Sequence, residues 1–437
     1  MGRRPVVYDL TRLVTRIFNR TPNGIDRVDF SLADYFVNRE SEHRSGLIMT
    51  AIGPRVLKPL AAREAIDNIR KHWGEDAEPE IDEDYRAVTK AIDSSFAKAP
   101  RFSKGRTGQY AEARAWFRRH GFPIGESPRK FLLDGGVYIN VSQFLLESDW
   151  YLRWLESETQ VDGVFFIHDL LPIETPEYFR PAEQPRHMRR MERLARRGRA
   201  AIVSTAIVRD SLARSMTTFG RSDMPILVAP LPPDPIFAEK TPLNGSMSRH
   251  PYFVMCGTIE PRKNHLLVLH VWRDLVAELG EAAPKLVLIG TRGWENEHVV
   301  DLLERCRGLQ GHVIEASGLP TPSVKRLLLG SRALLMPSFA EGYGLPIVEA
   351  LAAGVPVIAS DIPVFHEIGG GYLRTIDPTD GPGWRAAIRQ FLVDDSAERG
   401  ACAAKLTNYV APTWPEFFQK IEAFLDDLPS FNRRLRP

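Results

Sequence analysis

Short apolar runs alternate with longer amphipathic stretches along nearly the whole chain, and no other feature narrows the fold as much. Residues 5–10 (PVVYDL), 46–52, 130–133, 161–168, 200–204 and 226–230 have the length and the β-branched or aromatic content of strands. Between most of them lie stretches of helical period, such as residues 25–38, which set Val28, Leu32, Tyr35 and Phe36 on one face. The rhythm returns after residue 250, with β-like runs at 252–257, 285–290, 312–316, 333–337 and 355–360. Strands separated by helices pair in parallel through crossovers, with helices covering the sheet faces. Residues 230–248, rich in Pro, Asn, Gly and Ser, read as the joint between two such halves. The expected fold is α/β, with two Rossmann-like domains over residues 1–240 and 245–410.

Two segments break the rhythm. Residues 55–129 are polar and helical in taste, with an acidic run at 75–84. They read as a helical insertion in the first domain, since an unstructured connection of that length is uncommon. Residues 411–437 include WPEFFQKIEAFL, an amphipathic helix with Trp414, Phe417, Phe418, Ile421, Phe424 and Leu425 apolar. Lys and Arg total 57 against 55 Asp and Glu, which leaves no global field of the kind a nucleic-acid partner needs. Cys256, Cys306 and Cys402 are too far apart for a metal or disulfide framework and fit a reduced compartment. No window reaches the roughly 18–20 apolar residues of a spanning helix. MGRRPVVYDL lacks the apolar stretch of a signal peptide. A cytoplasmic protein is expected.

The chemistry concentrates in residues 333–360, ALLMPSFAEGYGLPIVEALAAGVPVIAS. A strand leads into a loop carrying Glu341. Gly342 and Gly344 allow close backbone approach, Pro346 suits the first turn of a helix, and Glu349 stands about one turn in. Such a helix start presents free N–H groups and a positive dipole end to an anion such as phosphate. Two carboxylates eight residues apart, one on the loop and one on the helix, can face one pocket and accept hydrogen bonds from sugar hydroxyls. Taken singly, either glutamate is as readily a solvated loop carboxylate or a helix-start acid.

EGYGLPIVEA followed by GVPVIAS resembles the retaining GT-B glycosyltransferases of family 4; GTIEPRKN at 257–264 and IHDLLPIETPEYF at 167–179 are further matches. The likeness is strong over residues 250–365, fair over 160–235 and thin before 130. It is nearest to the bacterial mannosyl- and rhamnosyl-type enzymes of surface polysaccharide assembly. The resemblance implies that Glu341 contacts the donor sugar's hydroxyls and that Glu349 binds the ribose. Arg262 and Lys263 would neutralise the diphosphate, where fixed cations stabilise the charge of a departing leaving group. His168 would contact the sugar and support the oxocarbenium-like state. The backbone of Gly257 and the amides of Gly342, Tyr343, Gly344 and Leu345 would meet phosphates or sugar. Gly24, in Asn23-Gly24-Ile25-Asp26-Arg27, would close over the donor. Two departures stand out. Thr258 takes the place after Gly257 where many relatives carry Arg, and the glycine-rich N-terminal loop is reduced to Gly24.

The resemblance also implies a last helix that crosses back to the first domain. It further implies hexosyl transfer from a nucleoside-diphosphate sugar, GDP-mannose first, to a glycan or lipid-linked oligosaccharide. The anomeric configuration would be retained, with no metal and no cofactor beyond the sugar nucleotide. A sugar-phosphate synthase or phosphorylase on the same fold, and a non-catalytic sugar-binding protein, stay open. Asp82-Glu83-Asp84 has the look of a metal-binding DxD, but it lies in the acidic run without a partner carboxylate pattern. His366-Glu367 lacks the second histidine of a zinc helix. Residues 180–199 hold eight arginines against two glutamates. They read either as a cationic surface for anionic lipid on the inner face of the cytoplasmic membrane or as a helix solvated by its own charges.

Overall fold

The computed structural model describes residues 4–16, 22–38, 43–73, 78–79, 82–94, 125–132, 135–158, 160–239, 250–393 and 396–434. Among these residues, thirteen strands form two sheets. The first contains β1 (Val6–Asp9), β2 (Arg44–Thr50), β3 (Gly53–Val56), β4 (Gly136–Asn140), β5 (Val161–Ile167), β6 (Ala200–Val203) and β7 (Ile226–Val228), in the order β3-β2-β1-β4-β5-β6-β7. The second contains β8 (Tyr252–Cys256), β9 (Lys285–Ile289), β10 (Val313–Ala316), β11 (Leu334–Met336), β12 (Val357–Ser360) and β13 (Arg374–Ile376), in the order β10-β9-β8-β11-β12-β13. Every pairing of these strands is parallel except β2 with β3, a tight edge hairpin. In both sheets the chain starts centrally, moves to one edge and returns past the first strand. That reversal opens a crevice at the strands' carboxyl ends.

Three expectations from the sequence need correction. Residues 130–132 are not a strand: Pro128–Phe131 make one helical turn, started by Pro128, and the strand is Gly136–Asn140, while residue 133 lies outside the described residues. Gly135, at φ +87°, separates the two. β3 and β13 were not foreseen; each is only three or four residues long and carries Pro54 or Arg374. The segment expected as an insertion divides. The helix Pro59–Trp73 buries Ala62, Ile66, Ile69 and Trp73 in the same core as Phe36 and Ile48, so it is a covering layer of the first sheet. The helix Glu83–Ile92 instead buries Val88, Ala91 and Ile92 with Val254 and Ile314 of the second sheet and Leu327 of the helix Thr321–Gly330. Residues 95–124 of this stretch, and 240–249 of the expected joint, lie outside the described residues.

The helix Trp414–Arg434 packs on the first sheet's core through Phe417, Phe418, Ile421, Leu425 and Leu428. Phe418 stacks on Tyr35 at 3.7 Å, and Glu422 pairs with the buried Arg44. Trp414 donates its indole N–H to the Pro233 carbonyl at 3.1 Å.

Candidate active site

The two crevices face each other, and the ends of the strands set the site. β5 delivers His168, and the loop after β11 delivers Glu341 and Gly342. Gly342 lies so close to the first sheet that a Cβ there would come within 2.5 Å of the His168 carbonyl oxygen and 2.7 Å of Asp169 Cβ. Thr205 Oγ1 also reaches the Gly342 carbonyl, at 3.5 Å. The segment after β5 continues across the cleft. Tyr178 stacks on Phe339 at 5.4 Å and Phe179 on Trp294 at 6.4 Å. On the far side, Glu367 of the second domain accepts from the Ala206 and Ile207 amides (the latter 3.1 Å), capping the helix Ala206–Thr218.

Glu341 is the hub. Its side chain is 6% exposed and accepts from Arg262 Nη1, Lys263 Nζ and Ser338 Oγ, the last at 2.8 Å. Arg262 also pairs with Glu260 at 2.6 Å and donates to the Ala340 carbonyl at 3.1 Å. Burial by itself would raise the Glu341 carboxyl; the charges of Arg262 and Lys263 overcome it and hold the group at about 2. Lys263 moves the other way: burial and the neighbouring Arg262 lower its pKa despite Glu341, because one carboxylate is shared between two cations. Burial raises Glu260 against the pull of Arg262. The basic pair is thus already aimed, by a carboxylate that a diphosphate could replace.

Backbone geometry explains the spacing. β8 ends at Gly257, whose φ of +138° favours glycine; a Cβ there would stand 3.3 Å from Lys263 Cε. The chain turns at Pro261–Lys263 into a left-handed Asn264, φ +56°. Asn264 is fixed by donating to the carbonyls of Pro337 (3.1 Å) and Pro378 (2.8 Å). This ties the basic turn to the loop of Glu341. Gly344, at φ +111°, starts the helix Leu345–Ala352. The amides of Gly342, Tyr343, Gly344 and Leu345 find no backbone acceptor among the described residues. Tyr343 itself turns away from the cleft: its ring joins the first sheet's core and its hydroxyl donates to the Leu231 carbonyl at 2.7 Å.

A Cβ at 344 would come within 3.0 Å of both Phe365 Cε1 and Ile368 Cδ1. Gly344→Ala should therefore cost about 1–3 kcal/mol in a denaturant melt. Gly24 behaves differently. It has an ordinary φ at the start of the helix Gly24–Asn38, and nothing lies within 4 Å of a Cβ there. Gly24→Ala should leave stability unchanged, so any loss of activity would point to a bound ligand.

Glu349 is 2% exposed and meets Arg27 across the cleft, with Nη1–Oε1 at 2.6 Å and Nη2–Oε2 at 3.2 Å. Burial raises its pKa and Arg27 opposes the rise. His168 Nε2 donates to the Val141 carbonyl at 2.9 Å, which fixes the proton on that nitrogen and leaves Nδ1 as an acceptor. Burial lowers its pKa from 6.5 to about 4, against the pull of Asp169. A group held neutral by the fold stabilises fully above the unfolded value, and that contribution fades as pH falls from 6.5 to about 4. Any His168-dependent part of kcat/KM should accordingly persist through pH 6.5 and drop only toward about 4; an inflection near 6.5 that His168→Gln removes would contradict this. A cavity of about 180 Å³ opens off the ends of β8 and β9, lined by Ile259, Arg292, Gly293 and Asn296 among others.

The structure brings His168, Gly257, Arg262, Lys263, Glu341, Gly342, Gly344 and Glu349 to one cleft. Ser338 and Glu260 join the site without having been expected there, and Glu367, weighed only as half of a zinc motif, acts as a cap across the cleft. The spacings Ser338-x-x-Glu341 and Glu260-x-Arg262 could have signalled the first two; the part Glu367 plays depends on how the halves meet. Asp82 is used structurally, accepting from the Asp84 amide at 3.0 Å and from Ser323 Oγ at 2.8 Å. The arginine-rich stretch forms the helix Glu183–Arg197. Arg186 and Arg190 pair with Glu147, Arg193 and Arg197 with Asp149, and Arg196 with Glu192. Met191, Leu194 and Ala195 face the first sheet's core. Arg189 and Met188 are exposed. Among the described residues no helix is long and apolar enough to cross a membrane.

Comparison with known proteins bears on the family and the fold. Residues 239–405 match the family model "Glycosyl transferases group 1". O-antigen chain mannosyltransferase B of Escherichia coli is 36% identical over 163 residues, 37% of this chain and 42% of that protein. Serotype-specific mannosyltransferase WbdA of Escherichia coli is 28% identical over 263 residues, 55% of this chain and 32% of that protein. The matched stretch thus spans less than half the length of either relative. HepE of Anabaena, solved in complex with UDP and glucose, superposes with a TM-score of 0.58 at 15% identity, covering 99% of this chain and 98% of that one. Residues 239–405 are thus similar to the glycosyl transferases group 1 family, and the chain has a GT-B fold.

Proposed function

We propose that the chain transfers a hexosyl unit, mannose first, from a nucleoside-diphosphate sugar to a hydroxyl of a glycan or lipid-linked acceptor in surface polysaccharide assembly. The observation that carries this is Glu341, kept ionised by Arg262 and Lys263 on the loop whose Gly342 packs against the His168 backbone. An arriving diphosphate takes the two cations, and the released carboxylate accepts from the sugar's hydroxyls. The bond between the anomeric carbon and the diphosphate oxygen breaks, the acceptor oxygen bonds on the same face, and its proton passes to the leaving phosphate. Configuration is retained with no side chain as nucleophile, unlike retaining hydrolases with their carboxylate pair. Neutral His168, through Nδ1, accepts from a sugar hydroxyl. Glu349 takes the ribose, and the cavity beside Ile259 and Asn296 receives the base. No metal is required in this reading, because the fixed cations stabilise the leaving group. Contact with anionic lipid would fall to Arg189, Arg196 and Met188.

The test is incubation with GDP-mannose and EDTA, with and without an oligosaccharide acceptor. Release of GDP and a product whose one-bond carbon–proton coupling matches that of the α-linked donor supports the proposal. Inverted product, or transfer only with a divalent ion, contradicts the retaining, metal-free form. Efficient transfer to a free sugar phosphate would favour a synthase. Binding without any donor consumption would favour a non-catalytic sugar-binding protein.

A further inference from the structure

Arg27 enters the cleft from the first domain on a turn that is fixed from several directions. The helix Gly24–Asn38 begins with reciprocal bonds: the Asp26 amide donates to Asn23 Oδ1 at 2.9 Å and the Asn23 amide to Asp26 Oδ2 at 3.1 Å. Asp26, fully buried, is also held by Arg12 at 2.9 Å and Arg16 at 3.1 Å. The next residue, Arg27, is thereby set opposite Glu349, 322 positions away in the chain, with its side chain 21% exposed and that of Glu349 3%. Cys256, the last residue of β8, lies within electrostatic range of Glu349, Arg27 and Lys263 alike. Arg27 and Lys263 therefore both lie near the end of β8, Lys263 against Gly257, which has no side chain to obstruct a ligand.

Arg27 faces both oxygens of Glu349, the carboxylate that the proposed function gives to the ribose. Ribose hydroxyls need acceptor positions on that same carboxylate. A diphosphate meanwhile brings more negative charge to the end of β8 than Glu349 carries, and a guanidinium binds phosphate oxygens through the same fork that it offers a carboxylate. We infer that Arg27 exchanges partners: the pair with Glu349 opens when the donor arrives, and Arg27 passes to the diphosphate as the ribose hydroxyls take the carboxylate. Donor arrival then replaces one tie between the domains with another that runs through the substrate. This rests on the nucleotide-sugar reading of the cleft.

The experiment is a double-mutant cycle on the full chain, with GDP, UDP and dTDP affinities measured by titration calorimetry for wild type, Arg27→Met, Glu349→Gln and the double variant. Exchange predicts that Arg27→Met weakens the diphosphate by about tenfold or more even in the Glu349→Gln background, since one charge-assisted contact to phosphate is then lost. If Arg27 only orients Glu349, its replacement costs less than about threefold in that background, and the inference is overturned. Arg27→Met alone leaves a buried carboxylate unpaired and can fail to fold. The double variant removes both charges, so its comparison with Glu349→Gln decides the matter without the single variant. Wild type binding none of the three nucleotides would overturn the nucleotide-sugar reading and this inference with it. Nucleotide binding with no Arg27 effect in the Glu349→Gln background sinks the inference alone.

Discussion

Glu341→Gln is expected to lower turnover at saturating donor by about a hundredfold or more, the scale on which a contact that strengthens in the transition state acts. The amide keeps the shape but loses the charge that sugar hydroxyls polarise against as the anomeric carbon becomes cationic. KM for the donor should change much less, because Arg262 and Lys263 remain to bind the diphosphate. Stability should fall as well. Breaking a buried pair by removing one partner costs about 3–5 kcal/mol. Here the partners left behind are Arg262, 17% exposed, and Lys263, 11% exposed. Acid dependence gives an independent reading. A carboxyl held at about 2 in the folded protein, against an ordinary 4.5, stabilises fully above 4.5 and loses that contribution as pH falls toward 2. The shift corresponds to about 3 kcal/mol. Glu341→Gln should lack this part of the acid-induced loss. A folded variant with near wild-type turnover would remove Glu341 from the chemistry.

Ending the chain before Trp414 should abolish cooperative folding of the first domain. Phe417, Phe418, Ile421, Leu425 and Leu428 are each 8% exposed or less against the first sheet's core. At about 1.5–3 kcal/mol per buried side chain, their loss sums to about 8–15 kcal/mol, which spans the whole stability of a typical domain. The buried Arg44 would also lose Glu422. Phe418→Ala, which opens the stack on Tyr35, should cost about 3–5 kcal/mol by itself. Calorimetry on both variants checks this; a truncated chain melting as wild type would show that the helix adds nothing to the core.

Much of the fold was legible because strands buried on both faces are apolar along most of their length. VVYD, VDGVFFI, YFVMC, KLVLI and VIAS read as such without help. Short edge strands carry no such signal: GPRV and RTI hold too few apolar residues to stand out. Residues 130–133 misled because Phe131 and Leu132 look strand-like, while Pro128 and Gly135 decide the backbone. At the site, Glu341, Glu349, Arg262 and Lys263 stood out through the family resemblance of the segments that carry them, and local backbone, Gly257 and Gly344 above all, brings those segments to the cleft. The Arg27–Glu349 pair, the Glu367 cap and the stacking of Tyr178 on Phe339 were not. They exist only because two sheets meet face to face, and no local pattern encodes that.

The central claim, that this cleft is a nucleotide-sugar site, meets its most direct test in a thermal-shift panel of GDP, UDP, dTDP and their common sugar conjugates, run with EDTA present. A ligand at 100 times its dissociation constant stabilises by about 2.7 kcal/mol, enough to move the melting curve visibly. A clear response is predicted from one nucleotide class, GDP and GDP-mannose first, and Glu349→Gln should weaken it. No response from any of them at millimolar concentration, or a response that needs a divalent ion, would contradict the claim.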